Sequence, residues 1–180
     1  MTARAGSAAA LPLAAVALLQ TGCFSVLKQG YYEVRGAHGE VLPITPGPEL
    51  TLTKYQGVEF TPATTPTGDR LCPPALRRAY DGSANQVASR LKPLYPGGPP
   101  TLTIDSEIVY FQKKGLFSGG QLLVRVRLRD VDQLVTDVLV RAETQSFREG
   151  GEADLARAAV QALQQFLERR KQGDESEPPG

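Results

Sequence analysis

Few side chains in this 180-residue sequence are equipped for chemistry: it holds one His, two Cys, one Met and no Trp. Acyl transfer needs a Ser or Cys nucleophile with a base, normally His, in hydrogen-bond reach. His38 is the one candidate base, and it stands in Gly36-Ala37-His38-Gly39, where two glycines predict a solvent-exposed turn. No Gly-x-Ser-x-Gly occurs. Zinc takes three or four nitrogen or sulfur ligands, more than His38 and Cys72 supply. Asp130-Val131-Asp132 places two carboxylates at alternate positions but lacks the following glycine and distant acid of an EF-hand loop, so it reads as a polar turn. Gly115 to Gly120 is glycine-rich yet carries no Lys-Ser/Thr, which a phosphate-cradling P-loop requires. Nothing in the spacing of the 19 acidic residues singles out a pair for glycoside cleavage. These residues predict a protein that is not an enzyme and has no metal centre and no cofactor.

Cys23 invites a different chemistry. Met1 to Ser7 carries Arg4 and no acid, Ala8 to Leu19 is apolar, and Thr21-Gly22 are small. A positive start, a short apolar middle and small residues at the cut define a secretory signal, whereas a spanning helix needs about 20 apolar residues. Leu19-Gln20-Thr21-Gly22-Cys23 resembles the lipobox of bacterial lipoproteins, with Gln20 where that pattern carries Leu, Val or Ala. The resemblance implies that the Cys23 thiol receives a diacylglycerol before residues 1–22 are removed. Two or three acyl chains at one residue hold far more firmly than the marginal binding of one. Phe24, not Asp, follows the cysteine, which favours an outer membrane facing the periplasm. In a plain secretory signal, Cys23 would instead be a structural thiol near the mature terminus.

The segments then fall into a signal peptide over 1–22, a tether over 23–30, a single domain over 31–170 and a polar, proline-rich tail over 171–180. Residues 23–180 number 158, enough for one domain with a core. Arg4 is the only charged residue removed, so 19 basic residues face 19 acidic ones. Such a neutral chain offers no basic field for nucleic acid. With Cys23 acylated, Cys72 cannot form a disulfide with it and reads as a small apolar residue at a helix entrance.

The elements follow from periodicity. Tyr31–Arg35 and Glu40–Ile44 flank the glycine-bounded turn as a hairpin, and Pro43 marks its second run as an edge. Leu50 to Phe60 alternates as one bent strand or two short ones, broken at Gly57. Thr61 to Asp69 has no period and reads as a loop. Pro73-Pro74 opens a helix whose buried face is Leu76, Tyr80, Ala84, Val87 and Leu91, with a kink or break expected at Asp81-Gly82. Three alternating runs follow, with inward sets Leu102, Ile104, Ile108, Tyr110; Leu122, Val124, Val126, Leu128; and Leu134, Val138, Val140, Ala142. Their short connections predict an antiparallel meander with one dry face and one wet face. On the wet face Glu107, Asp137 and Glu143 are placed to pair with Arg125, Arg127, Arg129 and Arg141. Glu152 to Arg170 is a helix with acids first and cations last, its stripe of Leu155, Ala159, Ala162, Leu163, Phe166 and Leu167 covering the dry face. Leu116 and Phe117, beside Lys113 and Lys114, sit at the tip of the first meander hairpin and are the candidate partner contact.

The order strand, long loop, helix, meander, terminal helix resembles small bacterial envelope lipoproteins. It also looks like the α+β domains of the curli-secretion lipoprotein and of the lipoprotein assisting lipopolysaccharide insertion. Tyr55-x-x-Val58-x-Phe60, Pro74-x-Leu76, Leu122 to Asp130 with Leu139-Val140, and Ala153 to Leu167 carry the resemblance. The turn after the middle strand departs from it, since Asp130-Val-Asp-Gln133 stands where glycine is usual. The expectation is an α+β fold with an antiparallel sheet and two principal helices. Its expected role is as a membrane-anchored, non-enzymatic envelope assembly or interaction protein with a protein partner. The alternative is a periplasm-facing binding module for a small apolar or glycan ligand in a groove between sheet and helices.

Overall fold

A computed structural model describes residues 36–44, 51–66, 72–115, 118–144 and 151–173. The fold is α+β: five strands, β1 (His38–Pro43), β2 (Gly57–Phe60), β3 (Thr101–Gln112), β4 (Gly120–Asp130) and β5 (Gln133–Thr144), with helices α1 (Pro74–Leu91) and α2 (Glu152–Gln172). The strand order is β1-β5-β4-β3-β2. β3, β4 and β5 form the meander, and β1 adds antiparallel to β5 as an edge strand, where Pro43 is tolerated. β2 departs from the antiparallel expectation by pairing parallel with β3. The reason is its connection, because α1 lies between the two strands in sequence and parallel neighbours need such a crossover.

Period-two patterning places Leu102, Ile104, Ser106 and Ile108 of β3 with Leu122, Val124, Val126 and Leu128 of β4 on the dry face. Val138, Val140 and Ala142 of β5 join them, and both helices cover this face. α1 buries the five residues of its expected stripe in one uninterrupted helix. Gly82 is exposed and leaves it intact. α2 extends two residues beyond its expected end, to Gln172, because Lys171 donates to Thr53 O at 3.0 Å and Tyr55 O at 2.5 Å. Its buried face includes Ala156, Ala158 and Val160 beyond the expected stripe, since it meets both the sheet and α1. Phe166 is only partly buried, with the Arg170 guanidinium 5.7 Å from its ring centre.

Two irregularities change which side chains face out. A bulge between Ile108 and Tyr110 reverses the alternation of β3, so Phe111 turns inward opposite Leu122 and Tyr110 turns outward opposite Leu123. A second shift, between Leu128 and Arg129 of β4, sets Leu134 opposite Arg129 and leaves it exposed. Tyr110 and Leu134, both expected in the core, therefore belong to the outer face. The Thr61–Asp69 stretch is not wholly loop either. Thr61 N bonds Ile104 O, Thr64 N bonds Ser106 O, and Ile108 N bonds Thr64 O, so residues 61–64 follow the edge of β3 without an alternating pattern of their own.

His38 and Gly39 form strand, not turn. A Cβ on Gly39 would lie 2.6 Å from Ala158 O and 3.0 Å from Ala162 Cβ, so the glycine lets α2 approach β1. The expected first strand, Tyr31–Arg35, lies outside the described residues.

Candidate interaction surface

The sheet face away from the helices is built by four rows running across the strands. His38, Glu143, Gln121 and Gln112 form the first, and Glu40, Arg141, Leu123 and Tyr110 the second. Leu42, Leu139, Arg125 and Glu107 form the third. In the fourth, Asp137, Arg127 and Asp105 stand beside Ile44, whose N–H bonds Asp137 O. Polar and apolar positions are thus sorted diagonally. Leu42, Leu139, Leu123 and Tyr110 step across β1, β5, β4 and β3 as an apolar stripe between two groups of ion pairs.

On one side of the stripe, each β4 arginine reaches an acid one step along from the residue directly opposite it. Arg125 holds Asp137 with Nε 3.1 and 3.0 Å from its two carboxylate oxygens and a further nitrogen at 2.5 Å. Arg127 reaches Glu107 at 2.6 Å, and Arg129 Nε lies 3.0 Å from Asp105 Oδ2. Asp137 is buried although it faces outward, because the guanidinium lies over it; that hydrogen bond raises the pKa of Arg125 above its ordinary value. On the other side Arg141 pairs with Glu40, and His38 lies 3.6 Å from Glu143. The expected arginine–acid ladder is present. Asp105 and Glu40 are partners that its pattern did not single out, and Glu143 pairs with His38.

Among the described residues, the large hydrophobic side chains left exposed are Leu42, Ile44, Tyr110, Val131 and Leu134. Leu42, Ile44, Tyr110 and Leu134 lie on this outer face, and Val131 caps its β4–β5 rim.

The remaining chemical candidates are scattered. His38 Nδ1 lies 3.5 Å from Gly36 O, and the ring is half-buried in β1. Cys72 is buried just before the α1 start, as expected of a small apolar residue. Asp130 accepts from Lys54 at 3.1 Å and from the Tyr55 hydroxyl at 3.1 Å, which ties the chain before β2 to the end of β4. The hydrogen bond to Asp130 raises the Lys54 pKa, and burial raises that of Tyr55. Asp132 is exposed in the turn. Among the described residues no three His, Cys, Asp or Glu side chains gather as a metal site needs, and no helix is long and apolar enough to cross a membrane. Cys23, Leu116 and Phe117 lie outside the described residues.

No protein-family model and no curated protein matches the chain. Among solved structures it is similar to a single-substitution variant of the PelC dodecamer from Paraburkholderia phytofirmans, at 15% identity and TM-score 0.46, covering 72% of this chain and 97% of that one. The PelC dodecamer in another crystal form gives 14% and 0.41, with 72% and 97% covered. The hypothetical protein CT253 from Chlamydia trachomatis gives 13% and 0.40, with 66% and 96% covered. Likenesses this distant do not bear on what the chain does.

Proposed function

We propose that the chain is a bacterial envelope lipoprotein, held to the membrane through lipid on Cys23, that serves as a non-enzymatic assembly or interaction protein. The observation that carries the reading is the apolar run Ala8–Leu19 followed by Thr21-Gly22-Cys23. The outer membrane, with the domain facing the periplasm, is its place. An interaction role is supported by the one-sided sheet, whose outer face gathers the exposed apolar side chains. The space between sheet and helices is occupied by the core, including Leu102, Ile104, Val124, Leu155 and Leu163, which disfavours a ligand there. Leu116 and Phe117 remain a proposed second contact, on the β3–β4 connection.

Radiolabelled palmitate fed to cells tests the anchor. The wild type takes up label and fractionates with membranes, and Cys23→Ala does neither; equal labelling of the two ends the reading. Partners retained in detergent extracts are then compared between the wild type and Leu116→Ser/Phe117→Ser. Unchanged partners remove that loop from the contact surface.

A further inference from the structure

The outer sheet face points to a second copy of this chain as its occupant: we infer that the protein forms a reversible face-to-face dimer through the stripe Leu42, Leu139, Leu123 and Tyr110. Charge is the first argument. Arg125, Arg127, Arg129 and Arg141 are each matched by an acid of the same face, so the arginines on both sides of the stripe are already engaged. A strongly acidic partner would meet arginines already engaged, whereas a face of the same layout sets apolar stripe against apolar stripe. Two sheets packed face to face interdigitate such side chains, and a self-complementary twofold contact is the commonest oligomeric arrangement.

Area is the second argument. With about 4.8 Å between strands and about 3.3 Å per residue, the 45 residues of the five strands project to about 700 Å². A stable interface takes about 800 Å² per partner. The face falls slightly short because β1 and β2 have only 6 and 4 residues, which is why the dimer is reversible. Confinement of copies to one leaflet, which rests on the proposed anchor, would raise their effective concentration and favour pairing.

The full chain in native membranes tests this with Leu139→Cys and a short bismaleimide. The expected product runs at twice the monomer mass, and Gln86→Cys, on the exposed side of α1, gives none. Adding Leu42→Glu to Leu139→Cys should cut the dimer band at least tenfold while leaving the circular dichroism spectrum unchanged. A Leu139→Cys protein that stays monomeric, with its new thiol resisting maleimide, would mean that residues 24–35 of the same chain cover the face, and an adduct of another mass would mean a different protein. Either result overturns the dimer, as does equal cross-linking from Gln86→Cys. Palmitate labelling is read independently, so cross-linking of Leu139→Cys that persists in unlabelled protein carrying Cys23→Ala would retain the dimer and remove the anchor.

Discussion

The Tyr80 phenol and the Ser106 hydroxyl meet at 3.0 Å inside the core, joining α1 to β3. Both residues are almost fully buried, at 1% and 3% exposure, so each hydroxyl depends on the other. A buried polar group left without a partner costs about 1–3 kcal/mol, whereas removing both partners together is nearly neutral. Tyr80→Phe alone should therefore lower the unfolding free energy by about 1–3 kcal/mol. Adding Ser106→Ala should recover most of it, as urea melts arranged in a double-mutant cycle will report. Additive losses would mean that the hydroxyls are satisfied separately.

Burial pushes the pKa of Tyr80 and of Tyr95 up to about 12, against an ordinary value of 10.0. In the unfolded chain both phenols ionise near pH 10, while in the fold they stay neutral. The unfolded state then binds fewer protons, and stability falls as pH rises from about 10 to about 12. Tyr80 contributes about 2–3 kcal/mol of that loss, at about 1.4 kcal/mol per pKa unit. Denaturant melts at pH 9, 11 and 12 should show the decline, and Tyr80→Phe should remove the Tyr80 share of it and leave that of Tyr95. A wild-type profile unchanged from pH 9 to 12 would contradict the burial of both rings.

Val131 has φ of 56° and is 80% exposed at the β4–β5 turn. A β-branched residue in the left-handed region is strained by roughly 1–2 kcal/mol, and at this turn the chain gains no buried contact in return. Val131→Gly should raise the melting temperature, by an amount corresponding to about 1 kcal/mol after glycine's entropy cost. Gly82→Ala tests the same trade-off in the opposite direction. Gly82 is exposed within α1 and its added methyl would meet nothing within 4 Å, so about 1 kcal/mol should again be gained.

Phe166 and Leu163 separate the partly covered side of α2 from its buried side. Leu163 is fully buried, and Leu163→Ala should cost about 2–5 kcal/mol. Phe166 is partly buried beneath Arg170, so Phe166→Ala should cost well under the about 3–5 kcal/mol of a fully enclosed ring. Guanidinium melts of the two variants give the order directly, and a larger loss for Phe166→Ala would place α2 in the wrong rotation.

Much of this architecture is legible in the residue pattern. Leu76, Tyr80, Ala84, Val87 and Leu91 mark one helix face unambiguously, and the Arg125, Arg127, Arg129 series marks the wet side of β4. The misreadings have identifiable causes. Gly36 and Gly39 resemble a hairpin turn, yet Gly39 serves the close approach of Ala158, and one glycine looks the same in either role. Thr61 to Thr64 lacks alternation because its backbone, not its side chains, joins it to β3. Ile108, Val109, Tyr110 and Phe111 are four apolar residues in succession, a hint that alternation fails there without saying which residue is extra. The diagonal stripe could not be read at all, since it depends on the register of four strands and on that one extra residue.

The β3 bulge works like a frame shift in a message. Upstream of Val109, even-numbered residues point to the helices; downstream, odd-numbered ones do. Ile108, Tyr110 and Phe111 already stand opposite Val124, Leu123 and Leu122 in unbroken succession, so Val109 is the supernumerary letter. Excising it would shorten β3 without turning any other side chain over, whereas a deletion at Thr103 or Asp105 would force part of the strand to slip and present its greasy side to water.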